Sequence, residues 1–124
     1  MSTEPRMVDV TIIETRIVPI PEPGWCVDPH DGVHHFTDLT HNGRETVASV
    51  DTPLGEVDFL KAQISQAPYL ESQPEPHPVV GVALDLQAGY RAEDIATLTR
   101  QLRAAVDLLD QVAAEALRLR GGTA

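Results

Sequence analysis

The stretch 91-RAEDIATLTRQLRAAVDLLDQVAAEALRLR-120 decides the fold class of this 124-residue chain. It holds no Gly and no Pro, and Ala and Leu dominate it. Ile95, Leu98, Leu102, Ala105, Leu109, Val112, Ala116 and Leu119 recur at alternating spacings of three and four, which places them on one face of a helix. At 1.5 Å per residue, a helix over 91–120 would be about 45 Å long. The sheet of so short a chain is expected to leave part of that seam bare. Ile95, Leu98, Leu102, Leu109 and Val112 are therefore expected to form an interaction surface, with a homodimer through the helix as the first partner and another protein as the second.

Upstream of the helix the periodicity changes from helical to alternating, so the chain reads as α+β: an antiparallel meander of about four to five strands with one long C-terminal helix. A single domain spanning 1–124 is expected, with a disordered start over 1–6 and a β-rich part over 7–87. The run 7-MVDVTIIETRIVPIP-21 is rich in β-branched residues and reads as one strand with a bulge. Pro19, Pro21 and Pro23 end it. In 34-HHFTDLTHNGRETVASVD-51, Asn42-Gly43 predicts a tight hairpin between strands 35–41 and 44–50. Pro53 and Gly55 mark a second turn. Residues 56–66 fit a strand or a short helix; Leu60, Ala62 and Ile64 on one face favour the strand. Residues 69–78 are a Pro-rich connector, and 79-VVGVALDLQ-87 is apolar enough for a central strand.

Composition excludes several functions. The formal net charge is −10. Such a surface repels phosphate backbones and anionic lipid, so no nucleic-acid or membrane partner is expected. The single Cys rules out an internal disulfide framework. No apolar run approaches the roughly 20 residues of a membrane span. The start, MSTEPRMVDV, lacks the regions of a signal peptide, and a cytoplasmic location is expected.

One segment carries chemistry. The stretch 24-GWCVDPHDGVHHFTDLTHNG-43 contains the sole Cys, the sole Trp and four of the five His. Zinc takes N and S ligands in a tetrahedron, and a thiolate with three neutral imidazoles would satisfy it. Cys26 and His30 lie in a loop bounded by Pro23 and Pro29. On a strand, His35 and His41 share a face and His34 takes the other. The expected ligands are Cys26, His30, His35 and His41, with His34 as the alternative to His35. A bend must then lie between His35 and His41, which an extended strand would hold roughly 20 Å apart. Asp28 and Asp38 are candidates to orient these ligands. The same residues admit a metal-dependent hydrolase or an enzyme using Cys26 as nucleophile, though neither an oxyanion hole nor a pocket is legible.

The Pro-rich lead, Trp25-Cys26, His30, and the later Asp38-Leu39-Thr40-His41 resemble a family of short actinobacterial proteins of unknown function. The resemblance spans most of the chain and implies that Trp25, Cys26, His30, Asp38 and His41 are signature positions. It implies no activity.

The end of the chain, 117-LRLRGG-122, matches the tail of ubiquitin, but a helix precedes it and two residues follow it. It reads as a helix end, with Arg118 and Arg120 near the negative pole of the dipole and Gly121 as cap. The function these observations favour is a small regulatory or adaptor protein with a structural zinc site and a helix-mediated surface. A metal-dependent or Cys-based enzyme comes second. An acidic inhibitor or DNA mimic comes last, because the carboxylates are scattered along the chain.

Overall fold

The computed structural model describes residues 5–12 and 16–122. Residues 1–4, most of the expected disordered start, lie outside them, as do 13–15 and 123–124. Among the described residues seven strands precede the helix: β1 Arg6–Ile12, β2 Arg16–Glu22, β3 Val33–His34, β4 His41–Asn42, β5 Thr46–Thr52, β6 Gly55–Gln66 and β7 Val79–Leu84. A 3-10 turn, Ala92–Asp94, leads into α1, Ile95–Gly122. The architecture is the α+β arrangement that the change in periodicity implied.

The run 7–21 is two strands rather than one. β1 and β2 pair antiparallel from Arg6↔Glu22 to Ile12↔Arg16, and β3 adds to β1 in parallel. Pairing decides this. One long strand would leave its β-branched inner face without a neighbour, whereas the hairpin stacks Val10, Ile12 and Ile20 on Leu39 as a buried cluster.

The second sheet is built around β6. β4 pairs with its end (His41↔Gln66) and β5 with its start (Thr46↔Ala62 to Thr52↔Gly55). β7 takes the opposite edge, from Leu60↔Leu84 to Ser65↔Val79. The ambiguous segment 56–66 is thus a strand. At the register shift beside Ala48 and Ser49, Phe59 is the extra residue of β6, and the bulge lets Phe59 and Leu60 both enter the core. β7 lies at the edge, not the centre, and Val82 and Leu84 remain 47% and 67% exposed.

Asn42-Gly43 is not a hairpin turn. The Gly43 N–H donates to Ile64 O at 2.7 Å, continuing the β4–β6 ladder. A Cβ at Gly43 would come within 3.3 Å of Ile64 O and 3.6 Å of the Trp25 ring, so the glycine permits a close approach. The tight turn is Pro53-Leu54 between β5 and β6, where Gly55 takes φ +121°. Residues 35–41 are not a strand either. A 3-10 turn, Phe36–Asp38, interrupts them, and Phe36 stacks on Tyr69 at 4.3 Å.

α1 covers the second sheet. Ala105, Leu98, Leu102 and Leu109 pack with Ala48, Val50, Phe59, Leu60 and Ala62. Farther along, Val112, Ala116 and Leu119 pack with Ile64, Trp25 and Cys26. The distal turns of the seam meet the chain's own Trp-Cys loop. Ile95 is the seam residue left largely exposed, at 43%. Each large aliphatic side chain buried in this way contributes about 1.5–3 kcal/mol. No helix among the described residues is long and apolar enough to cross a membrane.

Candidate metal centre

Four donors from three segments meet behind the Trp-Cys loop. Glu22 is the last residue of β2, on the same face as the buried Ile20, because side chains alternate along a strand. The chain then turns: the Cys26 N–H donates to Pro23 O at 3.1 Å, and the Val27 N–H donates to Asn42 O at 2.9 Å, which sews the loop to β4. Cys26 is thereby buried against α1. His30 adopts φ +54°, the left-handed region that costs a non-glycine residue about 1 kcal/mol or more. Asp28 holds it there, since its Oδ1 accepts from the His30 N–H at 2.9 Å while Oδ2 accepts from Asn42 Nδ2 at 2.8 Å. His41 enters from β4, fixed by its pairing with Gln66.

The donor atoms of Glu22, Cys26, His30 and His41 all lie within 4.8 Å of one another, and all four residues are buried. His30 Nε2 is 2.8 Å from Glu22 Oε1 and 3.8 Å from Cys26 Sγ. The His30 and His41 rings meet edge to face at 5.5 Å, and Trp25 stands against His41 at 6.5 Å. Arg6 closes the outer side: its Nε donates to Glu22 Oε2 at 2.7 Å and its Nη2 to Cys26 O at 2.9 Å. Among the described residues, His41 Nδ1 is the one buried side-chain N or O atom with no hydrogen-bond partner.

Burial and a few close partners set the electrostatics of the cluster. Burial pushes the Cys26 thiol up to about 11, and the neighbouring Glu22 carboxylate pushes in the same direction. Burial also works to raise Glu22, but hydrogen bonds from Cys26, His30 and Arg6 together outweigh it and hold the carboxyl below its ordinary range. Burial lowers His41, as does the positive charge His30 would carry, so its imidazole favours the neutral, ligating form.

The donor set fits a tetrahedral ion. Ligand bonds of 2.0–2.3 Å put tetrahedral donor atoms roughly 3.3–3.8 Å apart, within reach of the observed grouping by small side-chain adjustments. Glu22 and His30, held together by a hydrogen bond, would separate to admit the ion. Thiolate, carboxylate and two imidazoles carry two negative charges and would neutralise a dication, whereas one Cys and three His would leave a buried net charge of about +1. A dication would also reverse the force that keeps Cys26 protonated.

Three of the expected ligands, Cys26, His30 and His41, come together here. The fourth donor of the cluster is Glu22. His35 is exposed and flanks the 3-10 turn, away from the cluster. His34 lies in β3 opposite Ile12, and its side chain is outside the described residues. Asp28 supports His30 as expected. Asp38 is exposed, and its N–H caps the turn by donating to His35 O at 3.1 Å. Trp25 packs between His41 and the helix. Glu22 was readable in principle as a carboxylate in step with the apolar positions Val18 and Ile20.

The fold and site define a small α+β domain with a buried mixed-donor cluster at the junction of its two sheets. The chain belongs to a family defined by a domain of unknown function, DUF6907, whose model matches residues 7–118 and so includes all four donors. No curated protein and no solved structure matches it.

Proposed function

We propose that this is a small zinc-binding adaptor or regulatory protein whose metal is structural. The observation that carries the reading is the convergence of Glu22, Cys26, His30 and His41, four buried donors within 4.8 Å of one another. The unpartnered His41 Nδ1 supports it, because a buried ring nitrogen without a partner costs about 1–3 kcal/mol that a bound ion would recover. Zinc suits the mixture of sulfur, nitrogen and oxygen donors. Its role would be to tie β2, the Trp-Cys loop and β4 together, and so to lock the first sheet onto the second.

Burial also favours a structural ion over a catalytic one. A catalytic zinc keeps an open position for water and substrate, while these donors number four and all are enclosed. A Cys nucleophile needs a lowered pKa and access, and Cys26 has neither.

The test is elemental analysis of untagged protein, produced with zinc in the medium and dialysed against metal-free buffer. One equivalent of zinc per chain is expected, falling to traces in Cys26→Ser and in His41→Ala. Trace zinc in the folded wild-type chain would overturn the proposal. Cobalt substitution separates the structural from the catalytic role: a tetrahedral spectrum unmoved by added azide is expected, and a spectrum that shifts would assign the site to catalysis.

A further inference from the structure

The Trp-Cys loop, the second sheet and the distal half of α1 enclose a cleft that the chain's own side chains leave open. Its volume is about 670 Å³, within the roughly 300–1,000 Å³ of sites that take small molecules. The helix wall is one stripe: Leu108, Val112 and Leu119 recur at steps of four and seven. From Leu108 to Leu119 the stripe runs about 16 Å at 1.5 Å per residue. Trp25, Val27 and Ile64 form the facing wall, and Val27 is 58% exposed. None of the four donors of the metal centre is in the lining, so the cleft is a separate site.

Charge in the lining is asymmetric. Its two charged residues are Glu115 and Arg44. Glu115 accepts from Arg118 Nε at 2.8 Å, so its charge is already offset. Arg44 is exposed and makes no ion pair among the described residues. The uncommitted charge at the cleft is therefore positive, on a chain whose net charge is −10.

We propose that the cleft binds a small amphiphilic monoanion, with an apolar body of up to about 16 Å and one carboxylate head. The apolar walls take the body, and removing their surface from water supplies the attraction. The Arg44 guanidinium takes the head through two parallel N–H···O bonds, a geometry that matches a carboxylate. One negative charge is the limit. A second would find no second free cation in the lining and would meet the repulsion of the acidic chain. A cationic head would meet Arg44 itself, and a neutral one would leave it unpaired.

The sole Trp of the chain lines the cleft, so its emission reports occupancy. Decanoate, decanol and decylamine share one alkyl body and differ in the head. Each is titrated into the full-length chain at fixed salt, below its solubility and micelle limits. Decanoate is expected to give a saturable change in Trp25 emission, with decanol and decylamine about tenfold weaker or more, the size of one charge-assisted contact. Arg44→Gln should bring decanoate down to the level of decanol and leave decanol unmoved. Gln111→Phe, at an exposed helix position of the lining, should fill the cleft and weaken decanoate and decanol alike. Circular dichroism checks that both variants fold. Absence of a saturable change with decanoate would overturn the inference, whatever else the cleft takes up. Decanoate binding that decanol or decylamine matches would overturn it, as would binding that survives Arg44→Gln or Gln111→Phe intact. If a variant does not fold, the comparison of the three heads on the wild type decides.

Discussion

The helix-covered sheet and the Trp-Cys junction are stabilised in opposite ways. Between β5, β6 and α1, stability comes from many interchangeable apolar contacts, such as Val50, Phe59, Leu60 and Ala105. At the junction, the apolar packing of Trp25 and Cys26 is joined to a handful of polar atoms that must all be satisfied at once: Arg6 with Glu22, Glu22 with His30, Asp28 with the His30 N–H. Losing one contact weakens the first region by an increment. The second is expected to fail as a unit, because each remaining polar group is left buried without its partner.

The largest expected effect tests that contrast directly. If the proposed zinc is bound, chelation should lower stability by at least ~4 kcal/mol relative to zinc at a thousand times its Kd. Denaturant unfolding with and without chelator measures this, and His41→Ala should abolish the difference. A core truncation at the other region comes next. Phe59→Ala is expected to cost about 3–5 kcal/mol while zinc content stays unchanged. If zinc were lost with it, the two regions would not be independent.

Smaller effects are expected from pH on the metal-free chain. The folded pKa of His41 is lowered from 6.5, so as pH falls below that value the unfolded chain takes a proton that the folded chain refuses, and stability declines. The Cys26 pKa is raised from 9.0 to about 11, so between these values the unfolded thiol ionises first and stability declines again. Glu22, with its pKa lowered, adds a further loss below about 4.5. Urea midpoints measured across pH should show a plateau from about 6.5 to 9. Zinc should broaden that plateau at its alkaline end, where it holds the thiolate. The smallest effect belongs to His35→Ala, which should change stability by less than ~0.5 kcal/mol and leave zinc content intact, as befits an exposed side chain. A loss of zinc in this variant would restore His35 as a ligand and displace Glu22.

Legibility followed the same division. The helix was readable because periodicity reports a face, and a face is a local property of the chain; β6 was readable as a face, while its segment 56–66 fitted both a strand and a short helix. The donors were partly readable: Cys26, His30 and His41 stand out by residue type and crowding. Glu22 did not, because carboxylates are frequent in so acidic a chain. Reading 7–21 as one strand also gave Glu22 no Arg6 across from it. His35 was favoured on a strand that the 3-10 turn at Phe36–Asp38 replaces. The Asn-Gly hairpin misled for a related reason. Glycine serves both turns and close approaches, and only the presence of Ile64 and Trp25 beside Gly43 distinguishes the two.

The α+β class, the length and inward face of α1 and the crowding of Cys and His were determined by the sequence itself, since each follows from neighbours within a few residues; the segment 56–66 stayed open between strand and helix until its pairing with β5 and β7 made it a strand. Tertiary structure alone decided that α1 folds its distal seam onto Trp25, that β7 lies at an edge, and that Glu22 completes the cluster. These depend on which segments meet, and such meetings are set by the burial of whole faces rather than by any local pattern.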